Sequence, residues 1–144
     1  GASFKETVEV TPHISEQVRV FLLLETLEYL KRGGRIGKAQ AFLGSLLNVR
    51  PILTVRDGEV HPLERVRARQ RGLERLYQLV EECGSPQQLW ICHGTTPDEA
   101  LALGDRMQPL LAGDAKATQA RFGPVLGTHV GPGAIGVAVQ AGNA

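Results

Sequence analysis

Leu89-Trp90-Ile91-Cys92-His93-Gly94-Thr95-Thr96-Pro97-Asp98-Glu99 joins a strand to the start of a helix. Leu89 to Cys92 is apolar on both faces, the pattern of a central strand covered by helices. Thr96 then stands where its hydroxyl can cap the amide of Glu99, and Glu99 can reach back to the cap. Pro97 occupies a first helical position, where no amide is needed. Ala100, Leu103, Met107 and Leu110 continue the buried side of that predicted helix. A strand is expected at Lys116 to Phe122, a glycine-rich loop over Gly123 to Gly133, and a closing strand over Ala134 to Val139. The succession of strand, helix and strand permits a parallel pair.

Toward the amino terminus the pattern changes. Ile52 to Val55 and Val60 to Leu63 flank Asp57-Gly58, a dipeptide suited to the positive φ of a tight hairpin turn, so this pair is antiparallel. Pro51 and Pro62 argue against central-strand positions at the outer end of the hairpin. An amphipathic helix is expected over Arg67 to Glu82, with Leu73, Leu76, Tyr77 and Val80 as its apolar stripe and Arg67, Arg71 and Arg75 on another face. Ala39, Phe42, Leu43, Leu46 and Leu47 predict a further helix, weakened by Gly44. Leu27 to Arg32 predicts a short helix stopped by Gly33-Gly34, and Val18 to Leu24 a buried strand. Thr7 to Val10 alternates like a strand before Pro12 interrupts it. These elements define an α/β domain with a mixed, partly antiparallel sheet flanked by helices.

Composition excludes several classes. Of 144 residues, 42% are hydrophobic and 22% charged, the balance of one globular domain with a proper core, and the net charge of +1 gives no basic excess for nucleic acid. The longest apolar runs are too short to span a bilayer, and no signal-peptide pattern opens the chain. Cys83 and Cys92 form no CxxC unit, so reduced thiols and a cytoplasmic setting are expected. Gly1-Ala2 reads as a tag scar or the start of a fragment.

Four stretches hold groups that can do chemistry. Gly127-Thr128-His129-Val130-Gly131-Pro132-Gly133 offers a hydroxyl, an imidazole and backbone amides to a carboxylate or phosphate, or it is a tight turn with an incidental histidine. Arg35, after Gly33-Gly34, is either an anion contact or a solvated helix end. Arg65-Val66-Arg67-Ala68-Arg69-Gln70-Arg71 invites a nucleic-acid reading, but glutamates surround it and no aromatics are interleaved. A solvated face or a docking surface for an acidic partner is the alternative. Cys92 and His93, being adjacent in a strand, point to opposite faces, which argues against a nucleophile–base pair. An enzyme built on His129 or Cys92 remains a competing reading. The four histidines show no zinc spacing, so no metal is expected.

Leu27 to Ile36, Leu43 to Leu53, the hairpin with Asp57-Gly58-Glu59 followed by Arg65-Val66-Arg67, and Gly127 to Gly133 together resemble, in family order, the DegV family of fatty-acid-binding proteins. The resemblance covers most of residues 20–140. It implies two α/β domains with the acyl chain between them, this chain being the carboxy-terminal one. The Ser and Thr with which the first domain grips the carboxylate have no counterpart here. It further implies that His129, with Thr128, Gly127 and Gly131, belongs to the carboxylate network. Arg35, Arg65 and Arg67 would lie at the pocket mouth or a partner contact, and Phe42, Leu43, Leu46, Leu47 and Ile52 would line the acyl tunnel. The implied partners are a long-chain fatty acid, the chain's own amino-terminal domain and a separate fatty acid kinase that does the chemistry. No catalytic residue, cofactor, nucleic acid or stable membrane insertion is implied.

Overall fold

Val18 to Leu23 is rich in the branched and aromatic residues that a pleated, packed surface accepts, and it becomes a strand in the interior of the sheet. The computed structural model describes residues 1–44 and 48–141. Its elements are α1 (Phe4–Gln17), β1 (Val18–Leu23), α2 (Glu28–Arg32), a 3-10 helix (Gly37–Phe42), β2 (Arg50–Arg56), β3 (Glu59–Val66), α3 (Arg69–Glu81), β4 (Gln88–His93), α4 (Pro97–Met107), a 3-10 turn (Gln108–Leu110), β5 (Ala117–Arg121), α5 (Pro124–Val130) and β6 (Ile135–Gln140).

The six strands form one sheet in the order β3-β2-β1-β6-β4-β5. Among the described strands only β4 and β5 are parallel, joined by the α4 crossover; every other pair is antiparallel. The hairpin turns at Asp57 and Gly58, with φ of 50° and 75°, as its sequence requires. One core lies between the sheet and the pair α3 and α4, with Leu23, Ile52, Leu76, Ile91 and Met107 inside it. The second lies on the other face, where Leu22, Leu24 and Leu53 meet Leu30, Ala39 and Val130. Burying one such side chain fully contributes about 1.5–3 kcal/mol, so the two layers together fix the sheet between them.

Several expectations change. Residues 7–10 are helical, not extended. Ser3 caps α1 with a reciprocal box in which its hydroxyl accepts from the Glu6 amide at 3.3 Å and its own amide donates to Glu6 Oε2 at 2.7 Å. Pro12 sits inside that helix, no residue of which is buried. The helix expected over residues 39–47 is a 3-10 helix ending at Phe42; Gly44 follows at φ 81°, a left-handed turn that no helix continues through, and Leu46 and Leu47 lie outside the described residues. The loop expected over 123–133 is largely α5, which has Pro124 in its first turn and Gly131 at φ 78° just past its end. Thr96 makes no side-chain cap, and the Glu99 carboxylate reaches to Arg69 rather than back to the cap. Trp90 and Cys92 are only half-buried, so β4 is fully covered on one face alone. Pro51 lies in β2, an interior strand, while Pro62 lies in edge strand β3 beside the register shift at Ile52/Leu53. Arg67 precedes α3, so it shares no helix face with Arg71 and Arg75.

Candidate functional site

The antiparallel topology gathers the informative motifs at one end of the sheet. Leu23 at the end of β1 faces Ile52 near the start of β2 and Ile135 at the start of β6, and Ile135 faces His93 at the end of β4. The segments after β1, before β2, after β3, after β4 and before β6 therefore converge there.

His129 lies in the last turn of α5, and its imidazole packs on Gly33 at the end of α2. A Cβ built on Gly33 would stand 2.6 Å from His129 Cε1, with Nδ1 closer still. Gly131 faces the ring of Tyr29, whose Cε2 would be 2.7 Å from an added Cβ. Glu25 Cγ approaches Gly133 in the same way, at 2.8 Å. The two motifs that the sequence offers separately, Leu27 to Ile36 and Gly127 to Gly133, thus interlock.

The hydrogen bonds narrow the expected carboxylate network. The Gly127 amide donates to Gly123 O and the Gly131 amide to Gly127 O, both at 2.9 Å. The Thr128 hydroxyl donates to Pro124 O at 2.8 Å. Gly133 donates its amide to Thr95 Oγ1 at 3.0 Å. These donors are spent within the loop and helix, contrary to the expectation that they stand free. His129 is half-buried, and its Nδ1 is sealed with no hydrogen-bond partner. The accessible edge of the ring is therefore the one that carries Nε2.

Beside the other end of α2 is a cavity of about 310 Å³ lined by Leu27, Phe42, Leu43, Val49 and Pro51, with Glu25 and Arg65 among its polar walls. The Arg65 guanidinium stacks over the Phe42 ring, 4.8 Å from its centroid. Leu43 is exposed. Ile52 does not join them: it points into the core under α3, on the opposite face of the sheet from Phe42 and Leu53. Arg35 and Arg67 are exposed; the Arg67 carbonyl accepts from Arg50 Nη1 at 2.6 Å.

Sequence reasoning missed an ion network at this end. Glu25 accepts from Arg50 Nε at 2.8 Å and from Arg69 Nη1, and Arg69 also holds Glu99, with Nε to Oε1 at 2.9 Å. The hydrogen bond to Glu99, then that to Glu25, hold the Arg69 guanidinium above its usual pKa against the burial that opposes them. Arg69 sits unmarked within the arginine run, and the run does not form a basic stripe, since Arg69 is consumed inside the fold. Burial pushes the Cys92 thiol up, which makes it a poor nucleophile, and His93 points to the opposite face of β4. Among the described residues no group of three or more His, Cys, Asp or Glu is placed to hold a metal ion. No helix there is long and apolar enough to cross a membrane.

An α/β domain with a mixed six-stranded sheet, two helical layers and a glycine-seated histidine where these connections converge defines the class. The family profile described as DegV, an uncharacterised protein family, matches residues 1–142. The chain is 37% identical over 142 residues to a DegV domain-containing protein of Streptomyces coelicolor, covering 97% of this chain and 50% of that protein. It is 33% identical over 141 residues to protein DegV of Bacillus subtilis, covering 95% and 50%. It superposes with TM-score 0.83 and 31% identity on a structure described as fatty acid binding of a DegV family protein from Thermus thermophilus, covering 98% of this chain and 51% of the other. The Bacillus subtilis structure, described as DegV, a fatty acid binding protein, gives TM-score 0.78 and 30% identity, covering 97% and 50%. The chain belongs to the DegV family, and it spans about half the length of the curated relatives it matches.

Proposed function

We propose that this chain is a single domain that supplies one side of a long-chain fatty-acid site, in a protein whose other half completes it. The observation that carries the reading is the likeness, at 31% identity over nearly the whole chain, to a Thermus thermophilus protein described by its fatty acid binding. The local chemistry fits. The cavity beside α2, mixed in character, can take part of an alkyl chain along Leu27, Phe42, Val49 and Pro51, at about 0.8 kcal/mol for each methylene buried. A buried carboxylate needs hydrogen bonds to offset its desolvation, and His129 holds the one unspent side-chain donor of the Gly127 to Gly133 stretch. Thr128 would join only by releasing Pro124 O. Phe42 and Leu43 line the tail; Leu46 and Leu47 are proposed beside them from the resemblance. No chemistry is assigned to this protein: it holds the acid and presents it to a separate fatty acid kinase, with exposed Arg35, Arg65 and Arg67 as the rim that meets an acidic partner surface.

Mass spectrometry of an organic extract tests this. The protein carrying the preceding half is compared with this chain alone and with the longer protein bearing His129→Ala. A C14–C18 fatty acid near one per molecule in the longer protein, little in this chain, and a loss of roughly 10-fold or more in the variant are expected, since a hydrogen bond to a charged group contributes about 1.5–3 kcal/mol. An empty extract with no uptake of added palmitate would end the fatty-acid reading.

A further inference from the structure

We propose that Gly33 is a positioning residue for His129: its missing Cβ forms a seat that seals Nδ1 of the imidazole and leaves Nε2–H as the ring's one working donor. The inference deepens the fatty-acid reading above and rests on it for the identity of the ligand, though not for the geometry of the seat.

Gly33 and its neighbour are glycines for different reasons. Gly34 has φ 64°, a conformation that side chains resist, and nothing lies near the place its Cβ would occupy. Gly33 has φ −78° and ψ −2°, open to any residue. Its φ and ψ do not ask for glycine; the His129 ring does, with the Tyr29 carbonyl oxygen, 3.2 Å from an added Cβ, as a lesser contact. The arrangement is reciprocal. The chain after α2 receives the ring from α5, and Gly131, after α5, receives the Tyr29 ring from α2. Each short helix holds the other by an aromatic side chain set into a glycine, so the imidazole has little freedom to turn.

The sealed nitrogen decides the tautomer. A proton on Nδ1 would be a buried donor without an acceptor, which folded proteins rarely keep. Placed on Nε2 it faces outward, where water or a ligand oxygen can receive it. His129 then donates one hydrogen bond, in one direction, to a carboxylate oxygen.

A double-mutant cycle tests the seat. Gly33→Ala, His129→Ala and the double variant are made in the protein with its preceding half, and stability in denaturant, retained palmitate and the imidazole nitrogen resonances are measured. The wild type is expected to show a protonated Nε2. Gly33→Ala is expected to lower stability and retained palmitate, the latter 10-fold or more, and to move the imidazole resonances. In the His129→Ala background the same methyl meets no ring, only the Tyr29 carbonyl oxygen 3.2 Å away, so the loss of stability is much smaller and retention falls no further. Should Gly33→Ala alone not fold, recovery of folding in the double variant supports the seat equally. An equal loss of stability in both backgrounds, or a wild-type proton on Nδ1, overturns the proposal. If no form of the protein takes up palmitate, the fatty-acid reading fails, while the stability cycle and the resonances still decide the seat.

Discussion

Glu25 stands just beyond the last buried leucine of β1, with one oxygen on Arg50 and the other on Arg69. Replacing it with Gln leaves two guanidinium groups short of their anion in a half-buried setting. Glu25→Gln is expected to cost about 2 kcal/mol, read as a lower denaturant midpoint with an unchanged slope. A loss no larger than that of an exposed pair, such as Arg32 with Glu28, would show that solvent already screens the network. The thiols give a second expectation. Burial raises both Cys83 and Cys92. Between the unfolded and folded values the unfolded chain binds fewer protons, so stability falls as pH climbs through that alkaline window and is unaffected below it. Alkylation by iodoacetamide at neutral pH is expected to be slower in the folded chain than in the denatured one. Residues of this kind are hard to read from sequence. Glu25 looks like any acid after a strand, and nothing in Gly33 names the distant ring that fills the space of its missing side chain. His129 is legible because it lies in a motif; the hydrogen bonds that consume its neighbours' donors are not.

Helix α1 shows why a local signal can mislead at the scale of an element. The alternation from Thr7 to Val10 suggests a strand, but Ser3 and Glu6 close a capping box that sets a helix going, and no sheet neighbour competes for the segment. Ser3→Ala is expected to fray α1, at a cost of about 1 kcal/mol, seen as faster amide exchange over its first turn. Because α1 buries nothing, the global transition stays where it was. Acid does the same: the Ser3 amide and hydroxyl lower the Glu6 pKa, so its contribution is present at neutral pH and is lost as pH falls through the lowered value. The hairpin, α3, α4 and most strands are legible because their periodicity and turn residues agree. Helix α5 is hidden by its glycines, although Gly123-Pro124 and Gly131 bracket it as start and stop. The 3-10 helix is hidden because residues three apart align in both kinds of helix.

At the scale of the molecule, apolar side chains stand uncovered in several places among the described residues, two of which bear on the proposed preceding half. Phe4, Val8, Val10 and Ile14 of α1 are exposed, and Trp90 and Cys92 are half-covered on the second face of β4. Under the two-domain proposal, the preceding half covers at least α1. Amide exchange of α1 is expected to slow markedly in the longer protein; exchange that stays as fast there would place that half elsewhere. Strand β6 holds another consequence. It is the last strand, yet it lies beside β1 along its whole length, Val18 facing Gln140 and Leu23 facing Ile135. During synthesis β1 leaves the ribosome long before its neighbour exists. Phe21 to Leu23 can pair with β2 once the hairpin has been made, but the edge they turn to β6 stays open until nearly the whole domain has been translated. The sheet closes from its middle and late, so a nascent chain stalled before Ile135 offers itself to chaperones and to its own copies instead of folding.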